Sequence, residues 1–215
     1  MKKLTLTFDN GPSAEVTRRV LDVLDKHKLT AWFCVVGQQL MQPGATALVK
    51  QAKAAGHKIV NHSMNHKTPL GEDLSAAHAQ TEVRNMHDLM NTELGDWGEL
   101  WFRPFGRGGA LGPHVFSQAA VNELTAMQYS VLMWNNVPRD WVDPDGWVET
   151  ALEKIARTEH TVIVLHDLPT GAMDHLPRFI EELNSRSIEI TSEVPADCVP
   201  MSAGNKTAAL DLLTA

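Results

Sequence analysis

The sequence predicts an α/β protein whose parallel sheet curls into a closed or nearly closed barrel. Three observations predict it. Short apolar strands alternate with amphipathic helical stretches over residues 4–191. Each pair of strands is separated by a helical crossover, the connection that parallel neighbours require. The first strand ends in Thr7-Phe8-Asp9-Asn10-Gly11-Pro12, which puts an acid and an amide at a strand's carboxyl end, where parallel α/β sheets and barrels bind their ligands.

Leu4, Leu6 and Phe8 alternate with Thr5 and Thr7, the period of two of a strand, and Gly11-Pro12 stops it. Ser13 is placed to cap a helix whose Val16, Val20, Val23 and Leu24 share one face. A second strand over 30–36 is stopped by Gly37, a helix follows over 43–55 with Gly56 as its terminus, and a short third strand runs over 57–61. Ser75 opens a helix carrying Val83, Met86, Met90 and Leu94, which leads to a strand near 100–103. Helices near 117–127, 147–157 and 175–185 then alternate with strands at 129–134, 161–166 and 188–191, seven strands in all. The tail after Pro195 is weakly patterned and is expected to drape over the barrel.

A chain of this length with 43% hydrophobic residues can bury a core without disulfides, and it shows no repeat, linker or low-complexity segment. The expectation is one domain over residues 1–215. Leu4 to Phe8 is too short and polar for the apolar part of a signal peptide, and no segment reaches membrane-spanning length. The expected location is the cytoplasm, with a leader removed in maturation as the alternative. Cys34 lies in an apolar strand and reads as a small core residue, and Trp32 in the same strand also reads as core. A net charge of −7 argues against a nucleic-acid partner, because phosphate binders concentrate Lys and Arg on one face.

Taken alone, the Asp9-Asn10 pair reads more simply as an Asx turn. His62 and His66 are four apart, a separation that puts both imidazoles on one face of a helical turn and lets them share a metal ion; two solvent-facing histidines are the plainer alternative. The strand just before the pair places it on the same rim as Asp9.

Six segments taken together change the balance: Thr-Phe-Asp-Asn-Gly-Pro at 7–12, Thr-Ala-Trp-Phe-Cys-Val-Val-Gly at 30–37, Gly-His-Lys-Ile-Val-Asn-His-Ser-Met-Asn-His at 56–66, Phe-Arg-Pro-Phe-Gly at 102–106, Arg-Asp-Trp at 139–141 and Val-Ile-Val-Leu-His-Asp at 162–167. In order and spacing the chain resembles the NodB-type polysaccharide deacetylases, carbohydrate esterase family 4. The resemblance implies a distorted (β/α)7 barrel. It makes Asp9 the general base, Arg103 the cation that steadies it, His166 the acid that protonates the leaving amine, and Asp140 the carboxylate that hydrogen-bonds His166. It makes Phe105 the backbone donor to the oxyanion and Trp141 an apolar wall. His62 and His66 match two ligands of Zn²⁺ or another divalent metal. The third ligand position, an Asp in the family, is Asn10 here; a neutral amide can coordinate but should hold the ion less tightly. Two further departures are an apparent one-residue deletion at Pro104-Phe105 and Val137 in place of the fourth motif's first Asp.

The expected function is therefore a metal-dependent hydrolase of non-peptide carbon–nitrogen bonds that deacetylates an N-acetylated amino sugar or polysaccharide. Two alternatives stay open: a metal-independent hydrolase of a small cyclic amide on the same barrel, and a non-catalytic carbohydrate-binding domain with a decayed metal site.

Overall fold

A computed structural model describes residues 1–215. Its first strand, β1 (Lys3–Gly11), is buried on both faces: Leu4, Leu6 and Phe8 on one and Thr5 and Thr7 on the other are all inaccessible. The strand continues three residues past Phe8. Opposite the next strand Asp9 pairs with Cys34 and Gly11 with Val35, so Asn10 is left over as a bulge with φ of 73°, a conformation Asn tolerates better than most residues.

After α1 (Val16–His27) and β2 (Trp32–Val35) come a one-turn α2 (Gly37–Leu40), α3 (Ala45–Ala54) and β3 (Lys58–Asn61). Ser13 does not cap α1. Glu15 occupies the cap position without a side-chain bond, and the Ser13 hydroxyl donates instead to the Asp167 carbonyl at 2.7 Å, because the turn after β1 packs on the end of the strand His160–His166, its neighbour in the sheet. Ser75 does cap α4 (Ala76–Ala79), accepting the His78 N–H. A π-helical stretch over Gln80–Asn85 links it to α5 (Met86–Leu94). The remaining elements are β4 (Trp101–Phe102), α6 (Gln118–Ala126), β5 (Ser130–Val131), α7 (Trp147–Ile155), β6 (His160–His166), α8 (Leu176–Ser185) and β7 (Glu189–Ile190).

The parallel strands run β6-β1-β2-β3-β4-β5. The sheet curls until the chain just after β5 meets β6: Asn136 bridges Ile163, its N–H donates to the Val162 carbonyl at 3.2 Å, and its carbonyl accepts from Val164 at 2.9 Å. The seventh strand, β7, pairs only with Lys3 and Leu4 at the start of β1, whose other end pairs with β2. That wedge is the distortion of the (β/α)7 barrel. The tail does more than drape: β8 (Met201–Ser202) pairs antiparallel with β5, β9 (Asn205–Lys206) completes a hairpin, and α9 (Ala208–Asp211) follows. One contiguous core of 53 buried residues includes Trp32, Cys34, Trp97, Trp134 and Trp147. No helix is long and apolar enough to cross a membrane.

Candidate active site

Because the strands are parallel, their carboxyl ends share one rim, and each singled-out side chain lies there. Asp9 sits near the end of β1, His62 follows β3, Arg103 follows β4, and His166 ends β6. Asp9 and His166 are register partners across β1 and β6, so the sheet itself sets them side by side.

Arg103 is fully buried, and its Nη1 lies 3.7 Å from the Asp9 carboxylate, which is also 3.6 Å from His62 Nε2. Arg103 is aimed by a hydrogen bond from Nη2 to the Thr7 hydroxyl at 3.1 Å and by the Trp134 ring, 5.4 Å from its guanidinium. Burial pushes the Asp9 carboxyl up, but Arg103 first, then His62 and His166, outweigh it and hold the group below its ordinary value. Asp9 Oδ1 is buried without a partner.

His166 is held from both ends by Asp140. The imidazole Nδ1 lies 2.8 Å from one carboxylate oxygen, and the backbone N–H donates to the other at 2.9 Å. Burial lowers the imidazole's proton affinity, but the Asp140 bond and charge prevail and raise its pKa above the ordinary value. Trp141 stands edge-on to the ring at 4.7 Å between centroids. With Nδ1 engaged, Nε2 is the nitrogen left to exchange a proton.

His62 and His66 come together with 4.7 Å between centroids, but not on a helical turn. Residues 62–66 form an irregular bend with φ of 69° at Ser63 and 54° at His66. Glu82, on the π-helical stretch, holds that bend: its carboxylate accepts the Asn65 N–H at 2.9 Å, the Asn65 side-chain amide at 2.7 Å and the His66 N–H at 3.4 Å. Burial keeps His66 neutral, with its pKa lowered to about 3, and its ring stacks on Phe105 at 3.9 Å. The Phe105 N–H donates to no protein acceptor.

The donor chemistry fits a cation, without a charged ligand. His62 Nδ1 lies 2.7 Å from the Arg103 carbonyl, which can only accept, so the ring proton is assigned there and Nε2 presents a bare lone pair. Asn10 Oδ1 faces that lone pair at 3.1 Å. Two acceptors at this spacing suit two ligands of one ion; exchange of the amide O and N would instead make a hydrogen bond. No three His, Cys, Asp or Glu side chains converge as a ligand set, because the third position is an amide.

Sequence reasoning missed Glu82 and Asp167. Glu82 lies among the apolar positions of a helical run and carries no motif. Asp167 was visible only as the residue after His166. Its fully buried carboxylate accepts from the Thr17 hydroxyl and lies against Gly11, where a Cβ would come within 2.2 Å of Oδ2. Only glycine lets the β1 turn and the β6 turn approach so closely.

A buried acid–base pair thus lies beside a His-His-amide donor set on the carboxyl rim of an α/β barrel. A family model described as polysaccharide deacetylase matches residues 1–131. A peptidoglycan-N-acetylglucosamine deacetylase of Bacillus cereus is 31% identical over 172 residues, 77% of this chain and 73% of that protein. PgdA of Listeria monocytogenes, a protein of the same description, is 26% identical over 89% of this chain; the chain spans only 38% of its length. Two solved structures share the fold. An acetyl xylan esterase of Clostridium thermocellum, solved with cobalt, has a TM-score of 0.66 at 26% identity, covering 88% and 87% of the two chains. A CE4 family pseudoenzyme of Bacillus anthracis has a TM-score of 0.71 at 20% identity, covering 88% and 63%. The chain belongs to the polysaccharide deacetylase family.

Proposed function

We propose that this protein hydrolyses the carbon–nitrogen bond of an N-acetylated amino sugar, releasing acetate. The observation that carries the reading is the pairing, in register on adjacent strands, of a base held ionised by Arg103 with an acid held protonated by Asp140. A binding module has no use for two groups whose proton affinities are pushed apart in this way.

Asp9 takes the proton from the attacking water. The unpaired Phe105 N–H donates to the oxygen that gains charge at the carbonyl, and His166 Nε2 delivers a proton to the departing nitrogen. Trp141 walls the acyl group and keeps the His166 ring from turning. A divalent ion, held by His62, His66 and the Asn10 amide, supplies when bound a lowered water pKa and polarisation of the carbonyl. Because every one of those donors is neutral, a second reading retains support: hydrolysis of a small cyclic amide by the same acid and base without an ion.

Acetate release from N-acetylglucosamine oligomers, assayed with added Zn²⁺ and after chelation, tests the proposal. Activity is expected with the ion, and Asp9→Asn and His166→Ala should each lower it roughly 10²-fold or more while leaving the fold intact. Undiminished turnover in either folded variant removes that residue from the mechanism. Ring opening of a cyclic amide that survives chelation and His62→Ala favours the second reading.

A further inference from the structure

Behind His62 and His66 runs a chain of buried polar groups that the proposed reaction does not use. Asn61, the last residue of β3, is fully buried, and its side-chain amide is engaged at both ends. Nδ2 donates to the Val83 carbonyl at 3.1 Å, and because a carbonyl can only accept, the orientation of the amide is fixed. Oδ1 then accepts the Ser63 N–H at 3.0 Å, an Asx turn that bends the chain where Ser63 takes its φ of 69°. Nδ2 also donates to the Tyr129 hydroxyl at 3.2 Å. Having accepted there, the hydroxyl has one proton to give, and His87 Nδ1 lies 2.9 Å away to take it. Burial lowers the proton affinity of His87 and so keeps its ring neutral, with the proton assigned to Nε2.

The chain draws on three separate elements. Tyr129 immediately precedes β5, His87 lies on α5, and Val83 belongs to the π-helical stretch. That stretch turns two consecutive carbonyls toward the bend: Glu82 accepts the Met64 N–H at 3.2 Å, and Val83 accepts from Asn61. Tyr129 is inaccessible, with its ring edge-on to Phe102 at 6.3 Å and to His87 at 5.8 Å between centroids. It does not line the pocket. Its hydroxyl is therefore spent on the residue next to His62, and a buried amide that lost this partner would be left with a donor unpaired.

We propose that Tyr129 and His87 are positioning residues for the bend over 62–66: acting through Asn61, they hold the turn at Ser63 and with it the aim of His62 and His66. The inference rests on the proposed metal ligands for its Zn²⁺ readout but not for the geometry of the bend. Tyr129→Phe removes the hydroxyl and keeps the ring. Calorimetric titration of the whole protein is expected to show Zn²⁺ affinity about tenfold lower, the small end of the range for groups that orient a ligand. His87→Leu should weaken binding several-fold, and His87→Asn, which puts an amide oxygen near the place of Nδ1, should restore most of it. Ile180→Val, which loses a methylene from the core on α8, controls for lost stability and should keep the original affinity. Undiminished affinity in folded Tyr129→Phe, or an equal loss in Ile180→Val, overturns the proposal; His87→Asn no better than His87→Leu overturns it for His87. If the unaltered protein takes no Zn²⁺, the metal reading fails and amide hydrogen exchange decides the positioning. Faster exchange at Ser63 and His66 in Tyr129→Phe than in Ile180→Val upholds it, and equal exchange overturns it.

Discussion

Asn10 concentrates the chemical question in one side chain. It occupies a bulge where the backbone bends out of the β1 ladder, and its amide oxygen faces the bare nitrogen of His62. Replacing it by Asp adds a full negative charge at that spot with no change of shape. Asn10→Asp is expected to tighten Zn²⁺ binding roughly tenfold or more, because the ion then meets a charged ligand in a partly buried site. Calorimetric titration of both forms decides it; equal affinities place Asn10 outside the coordination shell. The acid and base set a second expectation at this scale. The proposed mechanism requires ionised Asp9, whose pKa is lowered, and protonated His166, whose pKa is raised. Activity should therefore persist down to acidic pH, below the ordinary carboxylate value, and fall as pH rises through the elevated His166 pKa above 6.5. Asp140→Asn removes the group that raises His166, so the alkaline limb of the kcat/KM profile should shift to lower pH. An unmoved limb assigns it to another group.

Two connecting elements do the positioning that strands alone leave undone. The π-helical stretch widens the helix where Glu82 turns inward, and its buried carboxylate satisfies three N–H groups of the bend that carries His66. Glu82→Ala is expected to destabilise the protein by about 2–4 kcal/mol, since those donors lose a charged acceptor. It should also weaken metal binding, which urea unfolding and titration of the same sample measure together. A stability loss with metal affinity unchanged would show that the bend holds without Glu82. On the opposite side, the β1–α1 turn is clamped to the end of β6: Thr17 donates to Asp167, Ser13 donates to the Asp167 carbonyl, and the Ser13 N–H donates to the Thr17 hydroxyl at 2.8 Å. Burial drives the Asp167 pKa up to about 6. Thr17→Val removes one strut of the clamp and keeps the shape of the side chain. It is expected to lower kcat several-fold with KM little changed, because the turns just beyond Asp9 and His166 loosen while the strand register and the pocket walls stay in place.

At the scale of the molecule, the barrel is finished by chain that lies outside the alternating pattern. The tail's hairpin pairs with β5 and buries Cys198, Met201 and Leu210 almost completely. The Cys198 carbonyl also accepts the Met133 N–H at 2.8 Å. Ending the chain at Pro195 uncovers the edge of β5 and forfeits the burial of these three side chains, ~1.5–3 kcal/mol each as an upper estimate. Such a truncated protein is expected to unfold at markedly lower urea, or to aggregate through the freed edge. An unchanged midpoint would make the tail an appendage rather than part of the sheet.

Much of this was legible in the residues. The alternation of Leu4, Leu6 and Phe8, the terminating Gly11-Pro12 and the apolar run ending at His166 are local signals, and local signals determine strands, their order and the rim on which their carboxyl ends fall. The seven strands and the core positions of Trp32 and Cys34 follow from them, whereas the roles of Asp9 and His166 came through the family resemblance and their adjacency from the pairing of β6 with β1. The tertiary structure decided what depends on partners far along the chain. Ser13 bonds the β6 turn rather than its own helix, His66 is aimed by Glu82 from another element rather than by helical spacing, and a weakly patterned tail becomes two strands because β5 offers it an open edge. These contacts leave no period in the sequence, since a single buried hydrogen bond or an edge pairing of two residues needs only the right neighbour in space.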